Sequence, residues 1–114
     1  MLTEKDYCDY DTCVALYELG LSFEDASQRF ERNILTNRYE EVPRPLLYEA
    51  QKWLRERHKL HITIYSQSQE SWQYRITKPH QKPEDGLHGE DFSSFEEALL
   101  EGIKEAVKIL KEEK

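Results

Sequence analysis

The chain has 114 residues, of which 38% are hydrophobic and 34% are charged, values that are typical of one soluble globular domain and exclude two. The formal net charge of −7 argues against nonspecific binding to nucleic acid or anionic lipid, because such surfaces need clustered cations. Residues 1–42 carry ten acidic and four basic side chains (−6), residues 43–82 carry three and eight (+5), and residues 83–114 carry ten and four (−6). We therefore expect a single domain over residues 1–114, with an acidic N-terminal part before a basic centre.

The sequence carries no signal for export or membrane insertion. It has no run of 18 apolar residues, and it begins with acidic residues where a signal peptide would be basic, so we expect a cytoplasmic protein without a membrane partner. Two cysteines, Cys8 and Cys13, are too few for a disulfide scaffold, and free thiols are expected.

The acidic N-terminal part is predicted to be helical. Asp11 can cap a first helix over residues 12–19, and Gly20 is placed to end it. The sequence Ser22-Phe23-Glu24-Asp25 has the spacing of a capping box and predicts a second helix, with apolar positions as far as Ile34, that frays near Asn33. Residues 35–41 show neither a helical nor a strand period, and we assign them to a loop or a short strand.

The next signals define a helix and a hairpin. Pro45 suits a first helical turn, and the apolar stripe after it predicts an amphipathic helix from Pro45 to His58. Residues 60–65 and residues 72–77 alternate between apolar and polar side chains, a pattern typical of half-buried strands. The polar residues 66–71 between them predict a six-residue turn and antiparallel pairing.

The remaining segment is predicted to end in a long helix. Residues 78–89 are interpreted as a loop that leads into a short third strand near residues 87–92. Ser93 and Ser94 each precede a glutamate by three residues, and the apolar stripe that follows predicts a capped helix over residues 95–110.

The period of two assigns the hairpin side chains to two faces. The inward set, which we expect in the core, is Leu60, Ile62, Ile64, Trp72, Tyr74 and Ile76. The outward set, which we take as the candidate interaction face, is His61, Thr63, Tyr65, Gln73, Arg75 and Thr77.

The predicted order is three helices, two strands, an optional third strand and a final helix. This order defines an α+β protein with helices on one face of a small antiparallel sheet. Residues 45–111 then have the order α-β-β-β-α, which resembles the double-stranded-RNA-binding fold in topology. Those domains place lysines at the start of the last helix, whereas this chain has Asp91, Glu96 and Glu97 there, so RNA binding by that route is electrostatically disfavoured.

Two stretches carry a resemblance to a known group of proteins. They are EAQKWLRERHKLHITIY at residues 49–65 and FSSFEEALLEGIKEAVKIL at residues 92–110, with a Trp-x-Tyr-x-Ile strand between them. Together with the short Gly-ended helix YDTCVALYELGL, they resemble small uncharacterised proteins of gut anaerobic bacteria and their prophages. The resemblance covers roughly two thirds of the chain, departs from the group's pattern at residues 22–41, and implies a mobile-element or accessory protein without a known activity.

A zinc site is the first alternative that the residue types allow. Cys8, Cys13, His58 and His61 supply thiolate and imidazole ligands, but their spacing is atypical of a zinc knuckle. Buried cysteines with surface histidines are the preferred interpretation, and no metal or cofactor is expected.

An acidic aromatic cluster near the N-terminus is the second alternative. Tyr7, Asp9, Tyr10 and Asp11 could bind a cation or a basic partner, but the ligand spacing of an EF-hand is missing, and we prefer solvated charge. No nucleophile elbow, phosphate-binding glycine loop or HExxH motif is present, so no catalytic residue is assigned.

Three functional hypotheses follow from these patterns. The preferred one is a non-enzymatic interaction or accessory module that binds another protein, or itself as a homodimer, through the outward set of the hairpin. The second is a nucleic-acid-associated regulator that uses the basic segment 43–82, with Arg55, Arg57, Lys59, Arg75 and Lys78 near phosphate. The third is a small enzyme whose site is completed in an oligomer.

Overall fold

The computed structural model describes residues 4–30, 42–68, 71–79, 81–82 and 86–112. In chain order these residues form α1 (Tyr10–Glu18), β1 (Gln28–Phe30), β2 (Val42–Arg44), α2 (Leu47–His58), β3 (His61–Ser68), β4 (Ser71–Thr77), β5 (Leu87–Phe92) and α3 (Phe95–Glu112). Short 3-10 helices lie at Glu4–Asp6 and Phe23–Asp25. The predicted α+β class is confirmed. Within these ranges, no helix has both the length and the apolar character needed to cross a lipid bilayer.

The main sheet is antiparallel and has three strands in the order β3-β4-β5. β3 and β4 form the predicted hairpin, with Ile62 opposite Ile76 and Tyr65 opposite Gln73. α3 packs against all three strands, and α2 packs against β3 and α3. The order α-β-β-β-α is therefore present, with the third strand at the predicted residues and both helices on one side of the sheet.

The inward side chains of the sheet form the centre of the core. Ile62, Tyr74 and Ile76 are buried beneath α3, where Ile103 and Ala106 are fully buried. Ile64 and Trp72 are half-buried at the same face, and the Trp72 ring meets Phe95 edge to face at 5.7 Å. The alternation therefore predicted which hairpin residues face the helices.

The first helix is capped by a different aspartate from the one that the sequence predicted. Asp9, not Asp11, is the N-cap of α1, and its Oδ1 accepts a hydrogen bond from the Thr12 backbone N–H at 2.9 Å. Gly20 ends the helical segment at φ 113°, a left-handed conformation that favours glycine. The backbone N–H of Leu21 then donates to Leu16 at 3.0 Å, as in a Schellman ending.

The predicted second helix is wrong beyond its first turn. The capping box forms, because Asp25 accepts hydrogen bonds from both the N–H and the hydroxyl of Ser22 at 2.9 Å. The helix ends at once, since Ala26 is extended at φ −126° and Ser27 donates its hydroxyl to Glu49 at 2.7 Å. The chain then pairs as β1 with β2. The predicted continuation over residues 31–34 and the segment 35–41 lie outside the described residues.

Two boundaries in the basic centre also differ from the prediction. Pro43 lies within β2 and Pro45 precedes α2, which begins at Leu47 rather than in a turn containing Pro45. Glu49 fixes this start because its Oε1 accepts a hydrogen bond from the backbone N–H of Leu46 at 2.8 Å. The hairpin connection is shorter than the predicted turn, since Ser68 already pairs with Ser71.

The last helix begins at the predicted serines. Ser94 Oγ accepts from the backbone N–H of Glu97 at 3.1 Å, and the Glu97 carboxylate accepts from the Ser93 hydroxyl. Further along, Lys104 forms an ion pair with Asp9 at 3.0 Å. This contact connects α3 directly to the cap of α1.

The close approach of β4 to β5 at Gly89 gives a test of the core. A Cβ atom at Gly89 would lie 2.0 Å from Cε2 of the buried Tyr74 ring. We expect Gly89→Ala to lower the free energy of unfolding by about 1–3 kcal/mol, because the ring must move within a packed core. Urea unfolding measures the change. Leu87→Ala, on the same strand at a half-exposed position, is the control and should have a smaller effect.

The Asp9 cap gives a pH-dependent test. Burial acts to raise the pKa of Asp9, but hydrogen bonds from Thr12 and the Lys104 ammonium outweigh it and hold that pKa below its usual value. A lowered pKa stabilises the fold near neutrality, and the gain is lost as the pH falls through that pKa.

Asp9→Asn keeps a good cap but removes the ion pair with Lys104. We expect it to cost less than about 1 kcal/mol near neutral pH, because the pair is exposed. Urea unfolding of both proteins should show this difference shrinking in acid. A difference that stays constant, or that Asp11→Asn reproduces, would contradict the assignment.

Candidate interaction face of the sheet

The register brings all six predicted outward residues onto one face. His61 pairs with Thr77, Thr63 with Arg75, and Tyr65 with Gln73. β5 adds a seventh side chain, His88, because it lies opposite Arg75 on the neighbouring strand. We use the term outer face for His61, Thr63, Tyr65, Gln73, Arg75, Thr77 and His88.

His88 lies within the predicted third strand near residues 87–92, but the sequence did not assign it to the outer face. β5 was predicted without a register against β4, so the sequence did not show which face each β5 side chain is on. The alternation of Leu87 and His88 shows which of the two faces outward only once the pairing of β5 with β4 is known.

An aromatic and cationic cluster crosses the outer face. The guanidinium carbon of Arg75 lies 4.9 Å from the centroid of the Tyr65 ring. The Tyr65 hydroxyl lies 3.4 Å from Nδ1 of His88, a long hydrogen bond. Tyr65 on β3 therefore reaches across β4 to β5, and the three side chains span the whole sheet.

The centre of the outer face is unexpectedly dry. Gln73 is only 5% exposed, although its position predicted a solvent-facing side chain. Its Oε1 atom and the Nε atom of Arg75 are both buried, and neither has a hydrogen-bond partner among the described residues. An unmade hydrogen bond at a buried polar atom costs about 1–3 kcal/mol. His61 and Thr63, by contrast, are exposed beside this dry centre.

The described N-terminal elements pack on the other side of the molecule. The 3-10 helix Glu4–Asp6 contacts α3, and α1 contacts α3 and β2. Tyr7 forms an isolated bridge with Leu46, and its ring lies 4.3 Å from the guanidinium carbon of Arg44. These residues thus belong to the helical side of the sheet.

The basic residues proposed for phosphate binding are divided between the two sides of the sheet. Arg55, Arg57 and Lys59 are exposed on and just after α2, which covers the inner face. Arg75 lies on the outer face beneath Tyr65. The fold therefore does not gather the five cations onto one face, as a groove for a nucleic-acid backbone would need.

The structure does not bring the four candidate zinc ligands together, although the two cysteines are in contact. Cys8 and Cys13 are buried free thiols, and Cys13 Sγ donates to the Cys8 carbonyl at 3.5 Å. The hydrogen bond with Cys13 and burial raise the pKa of Cys8 well above its usual value. His58 packs edge-on against Trp53 at 4.7 Å, while His61 is exposed on β3. In the described ranges, no three His, Cys, Asp or Glu side chains come together as metal ligands.

A cavity of about 650 Å³ lies between the N-terminal segment and the start of α3. It contains three of the four residues of the predicted acidic aromatic cluster, namely Tyr7, Asp9 and Tyr10. Its acidic wall also serves the helix caps, because Asp9 caps α1 and Glu97 binds Ser93. The raised pKa of Cys8 keeps that wall's thiol protonated, which makes it a weak nucleophile.

Comparison with known proteins gives no relatives. No protein-family model matches the chain, and neither a curated protein nor a solved structure matches it significantly.

The contact between Tyr65 and Arg75 gives a measurable coupling. We expect a double-mutant cycle with Tyr65→Leu and Arg75→Met to yield a coupling free energy of about 0.5–1 kcal/mol, the range of a cation–π contact. Urea unfolding of the four proteins measures it. A cycle of Tyr65→Leu with Lys108→Met, on the distant α3, is the control and should be additive. Additivity in both cycles would contradict the contact.

Proposed function

We propose that this chain is a non-enzymatic interaction module that binds another protein through the outer face. The observation that carries this proposal is the cluster of Tyr65, Arg75 and His88, which spans all three strands on the side away from the helices. An antiparallel sheet with helices on one side leaves the other side for solvent or a partner. The outer face has the features expected of a surface that binds a partner.

The residue types of the outer face support a partner. Tyrosine and arginine are enriched among the residues that contribute most to protein binding, especially where they are surrounded by a dry core. Here Tyr65 and Arg75 are half-buried around the buried Gln73, while His61 and Thr63 form an exposed polar margin. An assembled interface also has a buried core and a polar rim; here the chain itself already buries the centre, and the exposed margin is what a partner would cover.

The biological context is the second part of the proposal. The resemblance of residues 49–65 and 92–110 to small proteins of gut anaerobes and their prophages supports an accessory protein of mobile-element origin. No enzymatic role is proposed, because the cavity's Asp9 and Glu97 already serve helix caps and its thiol is held protonated. A nucleic-acid partner is disfavoured by the net charge of −7 and by the division of the cations between two sides.

Site-specific photocrosslinking in the native host tests the outer face directly. A photoreactive amino acid at the exposed Thr63, in the full-length chain, should form an adduct with a discrete protein. Arg75→Glu should reduce that adduct at least about tenfold, since loss of one central contact commonly costs 1.4 kcal/mol or more.

Arg55→Glu is the matched control, because it makes the same charge change at an exposed position on α2. It should leave the adduct unchanged. Equal yields from Arg75→Glu, Arg55→Glu and the unmodified sequence would refute the outer face as the binding site. Recovery of nucleic acid instead of protein would favour the regulator hypothesis.

A further inference from the structure

The two unpartnered polar atoms of the outer face define the chemistry of its partner. This inference rests on the proposed function and adds a ligand class to it. Gln73 Oε1 is a hydrogen-bond acceptor and Arg75 Nε–H is a donor, both buried and both without a partner among the described residues. Native proteins leave few buried polar atoms unpaired, and each such atom calls for an explanation.

The spacing of the two atoms fits an extended peptide. Gln73 and Arg75 are two residues apart on β4, so their side chains lie on the same face with a repeat of about 7 Å. An extended peptide has the same repeat. It can donate a backbone N–H to Gln73 Oε1 and bring an acceptor to Arg75 Nε.

The charge of the outer face selects the acceptor. Arg75 supplies the guanidinium of this face, and the carboxylate of Asp91 on β5 lies at its Ser71 end, where Asp91 Oδ1 accepts a hydrogen bond from the Ser71 hydroxyl at 3.3 Å. The opposite side of the molecule differs, since α3 carries Glu96, Glu97, Glu101, Glu105 and Glu112. A carboxylate is the acceptor that matches an unpartnered guanidinium N–H, because charge-assisted bonds of this kind are about twice as strong as neutral ones.

We propose that the outer face binds an extended acidic segment of another protein, with a backbone N–H on Gln73 Oε1 and an Asp or Glu carboxylate on Arg75 Nε. The Tyr65 ring moves off Arg75 to admit the segment and then packs beside it. Within the described residues, that motion breaks the long hydrogen bond to His88 and the ring contact with Arg75.

Binding of synthetic peptides to the full-length chain tests the proposal. Three fluorescein-labelled peptides of alternating sequence serve as probes: Glu-Val repeats, Gln-Val repeats and Lys-Val repeats of equal length. Fluorescence anisotropy should show binding of the Glu-Val peptide, at least tenfold weaker binding of the Gln-Val peptide, and no binding of the Lys-Val peptide. Arg75→Glu should abolish Glu-Val binding, whereas Arg55→Glu should preserve it.

Gln73→Leu separates a binding role from a structural one. The substitution removes the buried acceptor and keeps an apolar side chain of similar size. If Gln73 serves a partner, this variant should unfold at a higher urea concentration and yet bind the Glu-Val peptide at least several-fold more weakly. A variant that is less stable than the original, or that binds equally well, contradicts the role given to Gln73 Oε1. Arg75→Gln serves as a second variant if Arg75→Glu does not fold.

The outcomes distinguish this inference from the proposed function. Equal binding of the Glu-Val and Gln-Val peptides overturns the acidic ligand, while a protein adduct from Thr63 that depends on Arg75 would still support the outer face as an interface. If the Glu-Val peptide binds no better than the Gln-Val peptide and no Arg75-dependent adduct forms at Thr63, both the acidic ligand and the outer face as an interface are overturned. Binding of a single-stranded oligonucleotide with the same Arg75 dependence also overturns the acidic ligand, because phosphate would then be the group recognised.

Discussion

The packing of α3 on the inner face of the sheet is the constraint on which the rest of the structure depends. At Gly102 the helix approaches so closely that a Cβ atom would lie 3.0 Å from Ile62 Cγ2 and 3.3 Å from Tyr74 Cβ. Because side chains alternate along a strand, fixing Ile62 and Tyr74 inward also fixes Thr63, Gln73 and Arg75 outward. The packing of the core therefore determines which residues form the outer face.

The described N-terminal segment strengthens this layer arrangement from the helical side. The backbone N–H of Cys8 donates to the Pro45 carbonyl at 3.2 Å, and Asp9 pairs with Lys104 of α3. Leu16 and Leu21 join the same buried cluster as Leu54. These contacts hold α1 against the helices, so the acidic charge of α1 and α3 collects on the side of the sheet opposite Arg75.

Local patterns predicted what is decided locally. The period of two gave the faces of the hairpin, and the Ser93-Ser94 and Ser22 capping signals both form. The length of the helix after Ser22 was not decidable in this way, because Glu49, 22 residues further along the chain, binds Ser27 and supports an extended strand there. That competition between a local helix signal and a tertiary contact is invisible to a sequence window.

The candidate site was predicted to a similar extent, and its prediction was incomplete for a similar reason. Alternation identified six of its residues. The burial of Gln73 and the position of His88 on this face depend on residues of neighbouring strands rather than on residues close in sequence. The prediction of Asp11 as a cap shows the same limit on a smaller scale. Two aspartates stand two residues apart, and the choice of Asp9 follows from its additional partner, Lys104, on α3.

The dry centre of the outer face is the feature least explained by stability alone. In the part of the chain that the structure describes, Gln73 Oε1 and Arg75 Nε leave two hydrogen bonds unmade. At about 1–3 kcal/mol each, these are a large fraction of the roughly 5–15 kcal/mol by which a domain is stable. An exposed Gln73 would have met water at no such cost, and a leucine in its place would have removed the unpaired acceptor. Under the proposed function this cost has an explanation, because functional sites are where such costs are commonly retained.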